Sequence, residues 1–344
     1  MLIYDLSFSN LHSVLQDWGE EPYRTTQVWE GLYKHLYSAA DQFTSLPQAL
    51  RDRLASNFTF TSLNPMIHAH SKDHETEKIL FELEDGRRIE TVLMFYEKRR
   101  TVCISTQAGC GMGCVFCATG QMGLMGNLTS GEIVEQVLYF TRQLQEADEN
   151  LSNIVTMGMG EPFHNYDAVM QAVDTLNHPE GFRFGARRIT ISTVGIIPMI
   201  RRFTEEECKI NLAVSLHAAT NELRDRLVPI NRRYPLEDLI PTCRDYIERS
   251  GRRLSFEWAL IEGVNDGLDQ ARALARLVNG MLCHVNLIPL NPTQGYAGVG
   301  GSRTSAIAFR DELVSMGIAA TIRVRRGIDI GAGCGQLAGQ NPRE

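Results

Sequence analysis

Three cysteines stand in the run Cys110-Gly-Met-Gly-Cys114-Val-Phe-Cys117. Three thiolates at this C-x3-C-x2-C spacing can hold three irons of a [4Fe–4S] cluster and leave the fourth open to a small molecule. Ferredoxin-type carriers close every iron with four cysteines, and a structural zinc site also takes four ligands. No fourth Cys or His stands at ligand spacing, so the set is one ligand short. An open iron implies chemistry, not electron storage. A zinc knuckle, or three unrelated core thiols, are the rival readings of the spacing alone.

The elements around the triplet read as a repeated βα pattern. Strand candidates are 101–107, 153–159, 188–193, 210–216, 253–261 and 284–290, with a further one at 319–325. Helical stretches follow most of them: 130–147, opened by the capping box Thr129-x-x-Glu132, then 166–177, 236–250, 267–279 and 303–316. Such alternation predicts an α/β fold with a parallel sheet. Six units are too few for a closed eight-strand barrel and fit an open, partial six-unit (β/α) one, with its chemistry at the strand C-terminal ends.

That rule can be applied directly. The first strand runs into the cysteine triplet, and the second ends in Met157-Gly-Met-Gly160-Glu161-Pro162. Later strands end in Ser192-Thr193-Val-Gly195, in Ser215-Leu216-His217 and in Pro289-Leu-Asn291-Pro292. Any one of these sets reads equally as an ordinary turn or helix cap. Recurring in phase on one rim, they read as the wall of a single pocket.

Upstream, residues 1–70 lean helical, with apolar spacing over Phe8–Trp18 and Thr26–Tyr37 and a short helix from Pro47 to Ser56. They carry no catalytic cluster and read as an accessory domain. Residues 71–100 read as a β-hairpin linker turning at Asp85-Gly86, and 101–344 as the barrel with a carboxy-terminal cysteine loop.

Composition sets limits. With 43% hydrophobic and 22% charged residues the chain is an ordinary globular protein, without a 20-residue apolar run or a signal-peptide pattern. Eight cysteines, three of them clustered, fit a reducing compartment, so a cytoplasmic protein is expected. The net charge of −7 argues against a protein held to nucleic acid by bulk charge. Yet 29 of the 34 basic residues are Arg, several in pairs such as Arg99-Arg100, Arg252-Arg253 and Arg325-Arg326. Arg forks suit phosphates and stacked bases, and they suit solvated surface equally, so RNA stays open on composition.

Several stretches together resemble the RlmN family, the dual-specificity 23S ribosomal RNA and transfer RNA adenine C2 methyltransferases of the radical S-adenosylmethionine (SAM) class. They are Val102-Cys103-Ile-Ser-Thr-Gln-Ala-Gly-Cys110, the Met-Gly-Met-Gly-Glu-Pro of 157–162, Ser215-Leu216-His217, Asn286-Leu-Ile-Pro-Leu-Asn291-Pro292 and Cys334-Gly-Gln-Leu-Ala. The resemblance runs from Pro22 to Gly339, nearly the whole chain. It implies a six-unit partial barrel, a small RNA-contacting amino-terminal domain, a [4Fe–4S] cluster on Cys110, Cys114 and Cys117, and SAM at the open iron. Gly160 and Glu161 match the element that holds the SAM amino group, and Ser192, Ser215, Leu216, His217 and Asn291 match positions around the rest of SAM. Cys334 matches the cysteine that accepts a methyl group, Cys103 the one that resolves the covalent RNA adduct by forming a disulfide, and Glu90 the proton acceptor. The implied partners are 23S rRNA, tRNA, an electron donor for the cluster and a thiol reductant for the Cys103–Cys334 disulfide. One departure lies at Lys72-Asp73-His74-Glu75-Thr76, where the family usually has Gly-Thr after the Asp.

The chemistry explains why such residues are needed. Adenine C2 is electron-poor and no nucleophile, so a radical route is required, with the cofactor supplying the hard step. Cys334 lies among Gly331, Gly333 and Gly335, whose backbone can take more than one position. Alternation along 101–107 puts Cys103, Ser105 and Gln107 on one face, although a lone Cys103 also reads as a buried structural thiol. Glu90, in the apolar strand Ile89-Glu-Thr-Val-Leu, is on residue type either a solvent-facing carboxylate or a working base. Cys208, Cys243 and Cys283 read as structural. The rival activities are the related adenine C8 methyltransferase of ribosomal RNA, and a noncatalytic iron–sulfur or zinc RNA-binding protein.

Overall fold

Helices form at the amino terminus where a cap and an apolar stripe coincide. In the computed structural model, which describes residues 1–339, α1 (Phe8–Asp17) begins after Ser7, whose hydroxyl accepts the Asn10 amide, and buries Leu11 and Leu15. In α2 (Tyr23–Tyr33), Val28, Trp29, Leu32 and Tyr33 face the core; α3 (Gln48–Asn57) buries Leu50 and Leu54. The helix expected over 26–37 is shifted toward the amino terminus. Pro22 precedes its first turn, where a missing N–H costs nothing, and Leu36 leaves helical geometry with φ 57°.

The chain then enters a sheet earlier than its pattern suggests. β1 (Asn64–His70) lies inside the stretch read as helical, but none of its seven residues is buried, so no apolar alternation announces it. It pairs antiparallel with β2 (Thr76–Glu82), β2 with β3 (Arg88–Tyr96), and β3 with β4 (Arg99–Cys103). The hairpin read as a linker is therefore continuous with the barrel sheet.

After β4 come β5 (Gln107–Cys110), α4 (Ala118–Gln121), β6 (Gly123–Asn127) and α5 (Ser130–Glu146), which opens with the expected Thr129–Glu132 capping box. The repeat continues as β7 (Asn153–Thr156), α6 (Tyr166–Asn177), β8 (Ile189–Thr193), α7 (Ile197–Glu205), β9 (Asn211–Ser215), α8 (Asn221–Leu227), α9 (Leu236–Ser250), β10 (Leu254–Leu260), α10 (Leu268–Leu277), β11 (Cys283–Pro289), α11 (Arg303–Ser315) and β12 (Ala320–Ile322). Ten strands form one sheet in the order β1-β2-β3-β4-β7-β8-β9-β10-β11-β12, parallel from β4 onward and open at both edges. Of these seven parallel strands, β4, β7, β8, β9, β10 and β11 are the six of the partial barrel and β12 adds a seventh at the edge; the last five residues of the expected 101–344 unit lie outside the described residues. Short α7 and α8 escape the periodicity reading, α8 because Leu223 and Leu227 are its only apolar residues.

One strand differs from expectation in a way that matters. The predicted 101–107 strand stops at Cys103, and Gln107 belongs to β5, which pairs only with β6. The amides of Thr106 and Gln107 instead donate to the Met159 carbonyl, 2.8 and 3.2 Å away, so the chain crosses the end of β7. The tertiary hydrogen bonds override the alternation, and Cys103 and Gln107 serve different parts of the rim.

The main core lies between sheet and helices and includes Cys243. A second apolar cluster sits at the strand ends, where Cys110, Cys114 and Phe116 pack with Leu223, Leu227 and Leu290. Among the described residues no helix is long and apolar enough to cross a membrane.

Candidate active site

The cysteine loop is a tight, backbone-bonded turn. Gly113 has φ 66°, the Cys117 amide donates to the Cys114 carbonyl at 3.1 Å, and the Gln121 amide donates to the Cys117 carbonyl at 3.0 Å. The Val115 amide anchors the turn to Leu227 at 3.1 Å. Gly120 must stay small, since a Cβ there would come within 3.1 Å of Cys114 backbone. Cys110, Cys114 and Cys117 consequently line one cavity at the barrel mouth. Burial pushes the Cys110 thiol up to about 12 and the Cys114 thiol well above its ordinary value, and the neighbouring thiols of the triplet add to both.

The rim residues meet in that same cavity. Gly160, Glu161, Ser192, Ser215, His217 and Asn291 all line it, whereas Leu216 is fully buried in the main core and contributes only backbone to the neighbourhood. Gly160 has φ 102°, and a Cβ there would lie 2.6 Å from Gln107, so only glycine fits the crossing. Gln107 Oε1 accepts the Glu161 amide at 2.8 Å. The Glu161 carboxylate accepts the amides of Phe163 (3.0 Å) and Val194 (2.9 Å), joining the β7 and β8 loops. Its burial pushes it up to about 7, so a cation beside it would be welcome there. His217, at φ 59°, accepts the Ala259 amide on Nδ1 at 2.9 Å, which leaves the hydrogen on Nε2. Burial, and the Arg224 charge, push it down to about 3, so the ring is neutral.

Arg224 ties this rim together and was not singled out from sequence. Wholly buried, it donates to the carbonyls of Leu216 (3.0 Å), Val194 (2.6 Å) and Ser215 (3.2 Å) and to Asn231 Oδ1 (2.8 Å). Its sequence context, Asn221-Glu-Leu-Arg224-Asp, reads as a solvated helix face, so no local signal marks it. Glu257 was missed too, although a carboxylate in the apolar run Leu254-Ser-Phe-Glu257-Trp is the same signal that singled out Glu90.

The cavity fits an iron–sulfur cluster with SAM on three observations. The three thiols of the triplet converge while the fourth cysteine of the wall, Cys334, sits exposed on a separate loop, buried Glu161 is poised for an ammonium, and among the described residues the buried Glu257 Oε2 and Asn291 Oδ1 have no hydrogen-bond partner. Buried polar atoms left unpaired at a cavity wall call for donors from a ligand.

The carboxy-terminal loop closes one side. Gly327, Gly331, Gly335 and Gly339 take φ of 60–81°, which lets the chain fold back on itself. The loop docks on α4, where the Ala118 amide donates to Gly335 (2.8 Å) and the Thr119 hydroxyl to Leu337 (2.6 Å). Asn291 Nδ2 donates to the Cys334 carbonyl at 3.1 Å. Cys334 is exposed and lines two cavities, the one holding the cysteine triplet and a second holding Cys103, Met157 and Arg323. Burial pushes the Cys103 thiol up to about 12, and the Arg323 guanidinium works in the opposite direction. Arg323, another residue the sequence reading missed, places Nη1 3.9 Å from Cys334 Sγ.

Glu90 stands apart from these two cavities. Only 1% exposed, it accepts the amides of Ala338 (2.7 Å) and Gly339 (3.1 Å) and lies 2.6 Å from Lys78 Nζ, facing a third cleft behind the loop. The solvent-face alternative for Glu90 is thereby removed. A groove lined by Arg99, Arg252, Arg253, Arg323 and Arg326 adjoins the Cys103 cavity, with Arg99 and Arg326 stacked 4.1 and 4.5 Å from the Tyr96 ring centre. Within this groove Arg326 is also paired with Glu75, and elsewhere Arg100 is spent on Glu149 and Arg202 on Asp167 and Glu206.

Known proteins resemble this chain along nearly its full length. Residues 104–275 match the Radical SAM superfamily, and residues 2–59 match the Ribosomal RNA large subunit methyltransferase N-terminal domain. The dual-specificity RNA methyltransferase RlmN 1 of Myxococcus xanthus (strain DK1622) is 50% identical over 97% of this chain and 93% of its own. A probable dual-specificity RNA methyltransferase RlmN of Geobacillus kaustophilus (strain HTA426) is 48% identical over 99% of this chain and 93% of its own. The crystal structure of a radical SAM methyltransferase from Sphaerobacter thermophilus superposes with a TM-score of 0.97 at 50% identity, covering 99% of this chain and all of that one.

Proposed function

Given that the chain belongs to the RlmN family of the radical SAM superfamily, we propose that it methylates C2 of adenosine in 23S ribosomal RNA and in tRNA, through a methylated Cys334. The observation that carries this reading is the position of Cys334 on the walls of both cavities, within reach of the cofactor site and of Cys103.

Cys110, Cys114 and Cys117 would hold the cluster; Glu161 would take the SAM ammonium, and Ser192, Ser215, His217 and Asn291 its remaining polar groups. When bound, cluster and SAM would supply the methyl group and the one-electron chemistry that no side chain can perform, including removal of one hydrogen atom from the S-methyl group and uptake of the electron released with the C2 proton. Cys334 Sγ accepts the methyl and carries its carbon to adenine. Glu90 accepts the proton that leaves C2, which requires the loop to shift, because the loop now stands between its carboxylate and the Cys103 cavity. The Cys103 thiolate then attacks Cys334 Sγ: an S–S bond forms, the S–C bond breaks, and its electron pair with a proton completes the methyl group. Arg323 faces both sulfurs and favours the thiolate. A dithiol reductant must reopen the disulfide, and a one-electron donor must feed the cluster. The Arg-lined groove suits RNA phosphates, and the amino-terminal helices are the further RNA-contacting module.

The test is anaerobic turnover of reconstituted enzyme with SAM, a reductant and RNA, followed by nucleoside mass analysis. We expect 2-methyladenosine, and none from Cys334→Ala, which retains the cluster. Detection of 8-methyladenosine would move the enzyme to the C8 class, and full product from Cys334→Ala would discard the S-methyl route.

A further inference from the structure

Lys78 is 5% exposed, and burying an ammonium is costly without a partner. Its place follows from the hairpin register. Lys78 lies opposite Val92, and Glu90 opposite Leu80, so the two side chains are diagonal neighbours on one face of the β2–β3 pair. Lys78 Nζ sits 2.6 Å from Glu90 Oε1 and 3.3 Å from the Gly331 carbonyl. Glu90 Oε2 meanwhile accepts the amides of Ala338 and Gly339. Lysine and glutamate thus hold the two shoulders of a single segment, with Cys334 between them.

We propose that Lys78 is a positioning residue for methyl transfer, compensating the buried Glu90 charge and, with it, holding the 331–339 loop in register. The inference rests on the reading of Glu90 as proton acceptor. Without Lys78, Glu90 loses the ammonium 2.6 Å from its Oε1 and the loop loses its tether at the Gly331 carbonyl, so the carboxylate is no longer held where the adenine proton leaves. Mere loss of packing would lower every step together, whereas loss of this role stalls the reaction after the covalent RNA adduct forms.

The test compares Lys78→Met, Lys78→Arg, Glu90→Gln and the double Lys78→Met/Glu90→Gln as reconstituted holoenzymes. Product release, cluster absorbance, S-methylation of Cys334 and denaturation-resistant RNA adduct are each measured. Lys78→Met is expected to lower product release roughly 100-fold while adduct accumulates and cluster and S-methylation persist. Lys78→Arg should recover most of the loss. The double variant leaves no lone buried charge, so it tests the idea even if Lys78→Met fails to fold, and it should match Glu90→Gln. Wild-type release from Lys78→Met, loss without adduct, or a double variant clearly slower than Glu90→Gln would each overturn the proposal. If Glu90→Gln itself released product normally, the proton-acceptor reading would fall and this proposal with it. If Glu90→Gln stalled and Lys78→Met did not, only the positioning role would fall.

A separate cluster lies on the sheet edge, outside the cavities that hold the cysteines and Glu90. His68 and His70 are two apart on β1 and share a face, and Glu77 lies opposite His70 on β2. His68 Nε2 lies 3.4 Å from Glu77 Oε2 and His70 Nδ1 lies 3.4 Å from the other oxygen, Oε1, and one ligand atom from each of the three residues falls within 4.8 Å of the other two. A tetrahedral ion with bonds of about 2.0–2.1 Å spaces its ligands about 3.3–3.4 Å apart. Gln143 Nε2 donates to Glu77 Oε2 at 2.6 Å and orients the carboxylate. We infer that this corner binds a first-row divalent cation of the zinc type, water filling its open position. Calorimetric titration of the cluster-loaded enzyme with Zn2+ alone should show one equivalent that His68→Ala/His70→Ala and Glu77→Gln both lose. Equal uptake by wild type and variants, or no uptake, would overturn the site.

Discussion

The cysteine triplet and the carboxy-terminal cysteine loop face each other across one cavity, yet they are held in opposite ways. The triplet sits in an apolar cluster with Phe116, Leu223, Leu227 and Leu290, behind a buried arginine that fastens the surrounding loops. The Cys334 loop buries Leu337 and is otherwise held by hydrogen bonds to its peptides, donated by Ala118, Thr119, Asn291 and Lys78 and accepted by the Glu90 carboxylate. Apolar burial fixes a position, whereas peptide hydrogen bonds exchange one partner for another at small net cost. A cluster needs ligands that do not move. A sulfur that must visit a cofactor, a base and a second thiol needs the other arrangement.

Substitutions can break that contrast, and the largest effect belongs to the fixed side. Cys117→Ala should abolish cluster absorbance and turnover together, because two thiolates cannot replace three. Retained absorbance would mean that the triplet is not the ligand set.

Arg224→Met comes next. It strips the charged donor from the carbonyls of Leu216, Val194 and Ser215 and from Asn231, a loss of roughly 3–5 kcal/mol in urea unfolding of the cluster-free protein. A change below about 1 kcal/mol would show that the rim holds without it.

A pair of glycines sharpens the comparison further. Gly160→Ala combines a positive φ with a Cβ 2.6 Å from Gln107, while Gly335→Ala carries the φ of 81° with nothing nearer than 3.6 Å. Gly335→Ala should therefore cost only the backbone penalty of about 1–2 kcal/mol, and Gly160→Ala distinctly more. Equal stability losses in thermal unfolding would remove the distinction between a rim that is packed and a loop that is not. Gly335→Ala should also slow adduct release more than SAM binding, since it stiffens the moving partner.

The sequence by itself determined the repeated βα order, because each unit carries its own period and caps, as in the Thr129–Glu132 box of α5 and the run of 166–177 that became α6. It also determined the triplet, whose spacing is local, and the polar residues that end each parallel strand. What it could not determine depends on partners far along the chain. β1 is an exposed edge strand paired on one side only, so it lacks the apolar alternation that makes a strand legible. The 101–107 strand breaks because the Met159 carbonyl, some fifty residues later, captures the amides of Thr106 and Gln107. Arg224, Arg323 and Lys78 look like ordinary surface charge in their own stretches, and only folding brings them against carbonyls, thiols and Glu90, burying Arg224 and Lys78. A buried charge is stable only where the whole structure converges on it. That convergence brought Cys334 to the meeting point of two cavities, a place tertiary structure alone could choose.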